Sequence, residues 1–320
     1  MTKRGWVLFA AMGVIWGIPY LLIKIAVDEL EPSTLVLART ALAAALLLPV
    51  ALARGQLRPL LPRWRPILLF AVIELMIPWV LLAMAEQRLS SSLTGLLIAS
   101  VPLVGAILAV ATRADDRLDG RRLAGLLVGF TGVAALVGFE VGGGDAAAVF
   151  AIAIVAVCYA AGPLILSRWL SDVPGLGVIT ASLLLTAVVY LPFGIAQAPD
   201  RWPSADTTLA VIGLAVVCTA VAFLVFFALI AEVGPTRSTV ITYLNPAVAV
   251  LLGVWLLNER FTAATAVGFA LILSGSVLST RAASVSPSPG RLPAPRRPRG
   301  QSPRPTQDAR PDRDPIRAEP

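Results

Sequence analysis

What most constrains this chain is a succession of long apolar runs separated only by short polar joints. A helix needs roughly 20 apolar residues to cross the hydrocarbon core of a bilayer. Ten such runs lie near residues 5–24, 34–53, 66–85, 92–112, 121–139, 147–166, 176–196, 207–229, 237–257 and 262–280. One soluble core could not absorb them all. Charged residues are 14% of the chain, well under the roughly 25% of a soluble domain. Lipid is therefore the expected solvent, and the fold class is an all-α membrane protein.

The joints are legible. Glu31-Pro32-Ser33 opens the second span, since proline suits the first turn of a helix. Pro59, Pro62 and Pro66 part the second span from the third, and Gly142-Gly143-Gly144-Asp145 parts the fifth from the sixth. The third and fourth spans meet tightly at Glu86-Gln87-Arg88, and the ninth and tenth at Asn258-Glu259-Arg260. Lys3 and Arg4 precede the apolar run Gly5–Ile23. It is long for a signal peptide and reads as a retained first helix. From residue 281 onward the chain is rich in Pro, Arg and Ser, has little to bury, and is expected to be disordered.

Within the spans the chain repeats itself at a spacing of about 144 residues. Pro19 recurs as Pro163, Lys24 as Arg168, Thr94 as Ser238, Pro102 as Pro246 and Val104 as Val248. After a slip of one residue, Asp116, Arg117, Gly125 and Gly132 recur as Glu259, Arg260, Gly268 and Gly275. Prolines and charges are scarce here, so their shared offset argues against chance. Spans two and three match spans seven and eight poorly.

Loop charge sets the orientation. Joints after even-numbered spans carry Arg54, Arg58, Arg63 and Arg65, then Arg113, Arg117, Arg121 and Arg122, then Arg168 and Arg237. Joints after odd-numbered spans carry Asp28, Glu29, Glu31, Glu86, Glu140, Asp145, Asp200 and Asp206. Cytoplasmic loops collect Lys and Arg, so both termini are expected in the cytoplasm. Each unit holds five spans, an odd number, so the second enters from the opposite side. Ten transmembrane helices should form two inverted five-helix repeats, residues 1–140 and 141–280, followed by a tail over 281–320.

Several function classes drop out. The net charge of +7 is mostly the tail, which holds nine Arg against four acidic residues. No aromatic-basic platform accompanies it, so no nucleic acid partner is expected. Cys158 and Cys218 lie in apolar segments without a CxxC neighbour, and the chain has no His. No metal and no cofactor is expected, and both cysteines read as small packing residues. No GxxxxGK[ST] loop for ATP is present.

Taken in order, the residues resemble the EamA-type domain of the drug/metabolite transporter superfamily, twice in tandem over about residues 5–280. The segments are Ile15-Trp16-Gly17-Ile18-Pro19-Tyr20, Leu37-Ala38-Arg39-Thr40 and Ala83-Met84-Ala85-Glu86-Gln87-Arg88-Leu89 with the later Pro102. In the second half they are Glu232-Val233-Gly234-Pro235-Thr236-Arg237, Tyr243-Leu244-Asn245-Pro246 and Asn258-Glu259-Arg260 before Gly268 and Gly275. The resemblance implies ten helices, inverted repeats and alternating access around a central cavity. It fixes no substrate. The halves depart from each other where Trp16-Gly17 becomes Ala160-Ala161 and Arg39 meets Leu183.

Glu74 sits near the middle of span three. An ionisable group there is expensive and faces a cavity or a partner, so Glu74 reads as a proton or cation site, or as the structural partner of Arg39. Arg39 itself reads as an anion handle or a structural clamp. Lys24 and Arg168, at span ends, read as snorkelling to the interface. Pro19, Pro102, Pro163 and Pro246 are candidate helix breaks or gates, since matched discontinuous helices point to a transporter site. Trp16, Tyr20, Trp79, Tyr159, Tyr243 and Asn245 are candidate cavity residues, with interface anchoring or packing as the alternative. Gly125, Gly129, Gly132, Gly268 and Gly275 read as close-packing positions, within the monomer or in a homodimer.

The function expected is secondary transport, outward across a cytoplasmic membrane, of small organic metabolites, amino-acid-like compounds or drugs, with a proton as candidate coupling ion. The partners are then a small-molecule substrate and the lipid bilayer. An intramembrane enzyme is disfavoured by the absence of His and of paired carboxylates within one span, so no enzymatic activity is expected. A structural or regulatory membrane protein is the remaining alternative.

Overall fold

The computed structural model describes residues 2–111, 120–140, 145–234 and 238–280. The tail, the Gly142-Gly143-Gly144 joint, Arg113, Asp116, Arg117 and Arg237 lie outside the described residues. Among the described residues eight helices are long and apolar enough to cross a membrane: α1 Lys3–Ala26, α2 Pro32–Ala53, α3 Arg58–Glu86, α4 Ser91–Ala111, α5 Gly120–Phe139, α6 Ala146–Trp169, α7 Gly175–Ala196 and α8 Ala205–Val233. Two shorter apolar helices follow, α9 Ile241–Leu256 and α10 Ala263–Ser279. No strand occurs among the described residues. The fold is all-α, and the chain is a multi-pass membrane protein. Large apolar side chains stand exposed on it, among them Trp6, Leu52, Phe139, Phe150 and Trp255, as expected where lipid covers them.

Local chemistry explains the helix ends. Ser90 and Ser204 cap α4 and α8, their hydroxyls accepting from the main-chain N–H groups of Leu93 and Thr207. Pro32 opens α2 after an extended Glu31. Gly55 turns the chain out of α2 at φ +64°, a left-handed conformation that favours glycine.

Three helices are interrupted just before a matched proline. α1 breaks over Trp16–Ile18 ahead of Pro19, and α4 breaks at Ala99-Ser100 ahead of Pro102. A 3-10 turn, Thr239–Tyr243, and Leu244 precede Pro246 in α9. The fourth expectation is corrected: α6 runs unbroken through Pro163. A membrane helix tolerates an interior proline where protein covers the freed backbone groups, and here α3 packs along α6.

The repeat also reaches where the residues do not match. α3 contains a π-helical turn at Val72–Met76 and α8 one at Val216–Val221. Their first residues are 144 positions apart. Pro78 follows the first, but Ala222 occupies the matching place after the second, so the turn recurs without a shared marker.

Packing is reciprocal. α1 packs on α8 and α3 on α6; α2 packs on α7, α4 on α9 and α5 on α10. Exchanging the two halves leaves that set unchanged. The joints obey the same rule. Glu29, between α1 and α2, accepts from Ser204 and Thr207 at the start of α8. Asp172, between α6 and α7, pairs with Arg63 near the start of α3. The small-residue seam lies within the monomer. A Cβ on Gly132 would stand 2.8 Å from the Gly268 carbonyl, and one on Gly125 would stand 2.6 Å from the Ser279 nitrogen. Gly129 makes room for Leu103 of α4.

Candidate functional site

Arg39 comes two turns into α2 and is buried. Its Nε donates to Thr219 Oγ1 at 3.0 Å, and its guanidinium lies 3.7 Å from the centre of the Trp79 ring. A buried cation needs such partners. Thr219 belongs to the π turn of α8 and donates to the Leu214 carbonyl at 2.8 Å. On the other side, Tyr190 of α7 donates at 2.9 Å to the Met76 carbonyl, within the π turn of α3. Each π turn is thus met by a polar side chain from the second helix of the opposite half.

Glu74 projects from the π turn of α3 onto α6. A Cβ on Gly162 would overlap its carboxylate. Glu74 Oε2 is buried with no hydrogen-bond partner, and Cys158 and Tyr159 of α6 lie within electrostatic reach of its carboxyl. The structural alternative in which Glu74 pairs with Arg39 is not realised: no ion pair joins them among the described residues. Tyr159 of α6 lies within electrostatic reach of Glu74, Arg39 and Trp79. Tyr20, buried where α1 meets Gly95 of α4, is subject to Arg39, Tyr159 and Glu86.

At the end of α3 lies a group that sequence reasoning missed. Glu86 is 0% exposed, and neither carboxyl oxygen has a hydrogen-bond partner. Lys24, read from the sequence as snorkelling to the interface, instead donates through its Nζ to the Glu86 main-chain carbonyl at 2.7 Å. Glu86, Tyr20, Arg39, Trp79, Tyr159 and Glu74 therefore form one polar row inside the helices, drawn from α1, α2, α3 and α6.

Other candidates stand elsewhere. Trp16 packs against Phe226 and Phe223 of α8, with ring centres at 4.7 and 6.0 Å. In the amide orientation that satisfies its neighbours, Asn245 donates to the carbonyls of Gly13 and Ile241 at 3.1 and 3.0 Å. It ties α9 to the stretch of α1 just before its break. Tyr243 sits half-buried in the turn before Pro246. Among the described residues no group of three or more His, Cys, Asp or Glu could hold a metal ion.

Residues 3–138 and 146–281 each match the EamA-like transporter family. The chain belongs to that family. It is 31% identical over 284 residues to the uncharacterized inner membrane transporter YedA of Escherichia coli strain K12, covering 84% of this chain and 88% of that one. An uncharacterized transporter of Archaeoglobus fulgidus is 23% identical over 292 residues, covering 88% of this chain and 98% of the relative. A protein of known crystal structure shares the fold at TM-score 0.63 and 22% identity, over 88% of this chain and 97% of its own. The chain is accordingly a membrane transporter by family.

One more polar group stands at a joint of this EamA-like chain. Glu259, in the joint between α9 and α10, accepts from the main-chain N–H groups of Ser91 and Ser92 at 2.7 and 2.9 Å, and from the Ser92 hydroxyl. A second-half carboxylate thus caps the first half's α4. Beside it opens a hollow of about 260 Å³ lined by Arg88, Ser90, Leu93, Asp145, Glu259 and Arg260, among others. The contact is long-range, from the last joint back to the start of α4. The acid-at-a-joint signature of Glu259 alone could not name the partner.

Proposed function

We propose that the chain is a secondary transporter exporting small organic metabolites, amino-acid-like compounds or drugs by alternating access across a cytoplasmic membrane. The observation that carries this reading is reciprocal packing of the halves around a buried polar row. Two like units exchanging their first and third helices can rock against each other, and the groups between them then face either side in turn. Arg39 is the handle for an anionic group, Glu74 for a proton or a cationic group, and Tyr20, Trp79 and Tyr159 supply an amphipathic wall. Loop charge supports inverted repeats with both termini in the cytoplasm. The inner-membrane name of the Escherichia coli relative supports the location. No covalent chemistry is needed.

The test is uptake and efflux of a metabolite panel by the reconstituted protein, under imposed proton and sodium gradients. Flux of some member is expected. A silent panel would revive an intramembrane enzyme or a non-transporting role. Glu74→Gln separates the roles of Glu74: unchanged pH dependence of the flux removes the proton.

A further inference from the structure

Glu86 has no role of its own in the proposed transport, yet it is the most completely buried carboxyl of the polar row. Its side chain is fully enclosed and both its oxygens lack hydrogen-bond partners. The cation beside it is turned away. Lys24 Nζ holds the main-chain carbonyl of Glu86, and no ion pair joins the two side chains among the described residues. An unpaired carboxylate in such a place is strongly disfavoured, as is one left behind when a buried ion pair is broken. A neutral acid avoids that penalty. An ionised Glu86, in turn, would have Lys24 within a side-chain swing. The two arrangements differ by one proton.

The other groups facing Glu86 fit this pair of states. Tyr20 comes from α1, Arg39 from α2 and Glu259 from the joint between α9 and α10. α4 contains no titratable residue, and α6 brings Tyr159 into the same row. Two further buried hydroxyls, Ser91 Oγ and Thr94 Oγ1, lie without partners in the first turns of α4. The joint that follows Glu86 borders the hollow lined by Arg88, Ser90, Asp145 and Glu259, which begins two residues along the chain at Arg88.

We propose that Glu86 is a proton-binding site, holding its proton in this packing and releasing it when Lys24 moves from the main-chain carbonyl to the carboxylate. The carboxyl O–H bond breaks, the proton passes to water in the hollow, and the Lys24 ammonium keeps its own protons and changes acceptor. The use of this proton, to couple substrate movement to a pH gradient, rests on the transporter reading; the proton itself does not.

Infrared spectroscopy of the full chain in lipid vesicles, in H₂O and D₂O at neutral pH, reads protonated carboxyls without any substrate. A carboxylic-acid band that Glu86→Gln removes and Glu74→Gln leaves in place is the expected result. Acid bands unchanged by Glu86→Gln would overturn the proposal. Should Glu86→Gln fail to fold, the wild type compared with Lys24→Met decides: a carboxylic-acid band present in the wild type and kept in Lys24→Met is expected, whereas a band that appears only once Lys24 is removed would mean a standing ion pair and overturn the proposal. Once a transported metabolite is found, Glu86→Gln should lose the pH-gradient dependence of its flux. Retained dependence sinks the coupling role. A wild type without any flux sinks the transporter reading and leaves the infrared result standing.

Discussion

Arg39 of the first half donates through its Nε to Thr219 of the second at 3.0 Å, so the cation at the centre of the polar row is also a tie between the halves. The bond ends on a π turn, where the helix is wider and its carbonyls need other donors. Lysine cannot reproduce it. A lysine ammonium has neither the Nε–H in the plane of a fork nor the flat face that lies on Trp79. Arg39→Lys should lower stability by about 2 kcal/mol, measured by reversible unfolding in mixed micelles. Thr219→Val should cost about 1 kcal/mol, and the double variant less than the sum. Strict additivity would mean that the two residues act independently.

The seat of Glu74 gives a second prediction. Gly162 leaves room for its carboxyl, and a Cβ there would stand 2.8 Å from the carboxyl carbon. Gly162→Ala should therefore expel Glu74 from α6 at a cost of about 1–3 kcal/mol. Shortening Glu74 should relieve that strain, so Gly162→Ala with Glu74→Ala should be more stable than Gly162→Ala alone. Thermal unfolding of the four variants decides; equal destabilisation with and without Glu74 would show that the crowding lies elsewhere.

Much of this was readable from residue order, for a physical reason. Lipid demands about 20 apolar residues per crossing, and each crossing leaves its mark whatever it packs against. The proline breaks at Pro19, Pro102 and Pro246 were readable because a missing N–H acts locally. Burial of Glu86 was not readable. It stands beside Gln87 and Arg88 at a tight joint, where charge ordinarily meets water, and it is enclosed by parts of the chain far away in sequence. The π turns left no sign either, since Pro78 follows one and Ala222 the other. Pro163 misled because its effect depends on what covers the freed carbonyl. The partner of Glu259 lies 167 positions away, at Ser92, beyond any local pattern.

Glu29 offers a pH dependence whose sign can be worked out. The Ser204 hydroxyl, then the Ser204 N–H, and further the Thr207 hydroxyl donate to its carboxylate, holding it below the ordinary value of 4.5. A group with a depressed folded-state value contributes stability above its unfolded value and loses it as pH falls through the folded one. Glu29→Ala should thus melt below wild type at pH 7, by an amount that shrinks once pH drops beneath 4.5. A gap that stays constant down through that range would remove the carboxylate charge from the account.

Glu259 makes the most local prediction. It is the acceptor for two N–H groups at the start of α4 that the helix cannot satisfy itself. Caps of this kind are worth about 1 kcal/mol, with a further fraction from the helix dipole. Glu259→Ala should speed hydrogen–deuterium exchange in the peptide holding Ser91 and Ser92, while Arg260→Ala, one residue along, should leave it unchanged. Glu259→Gln keeps one acceptor oxygen and should fall between. The effect should stay confined to the start of α4, because the rest of that helix is held by its packing on α9. Exchange that accelerates equally along all of α4 would mean that Glu259 supports the docking of the whole helix, and unaltered exchange would mean that the cap contributes nothing.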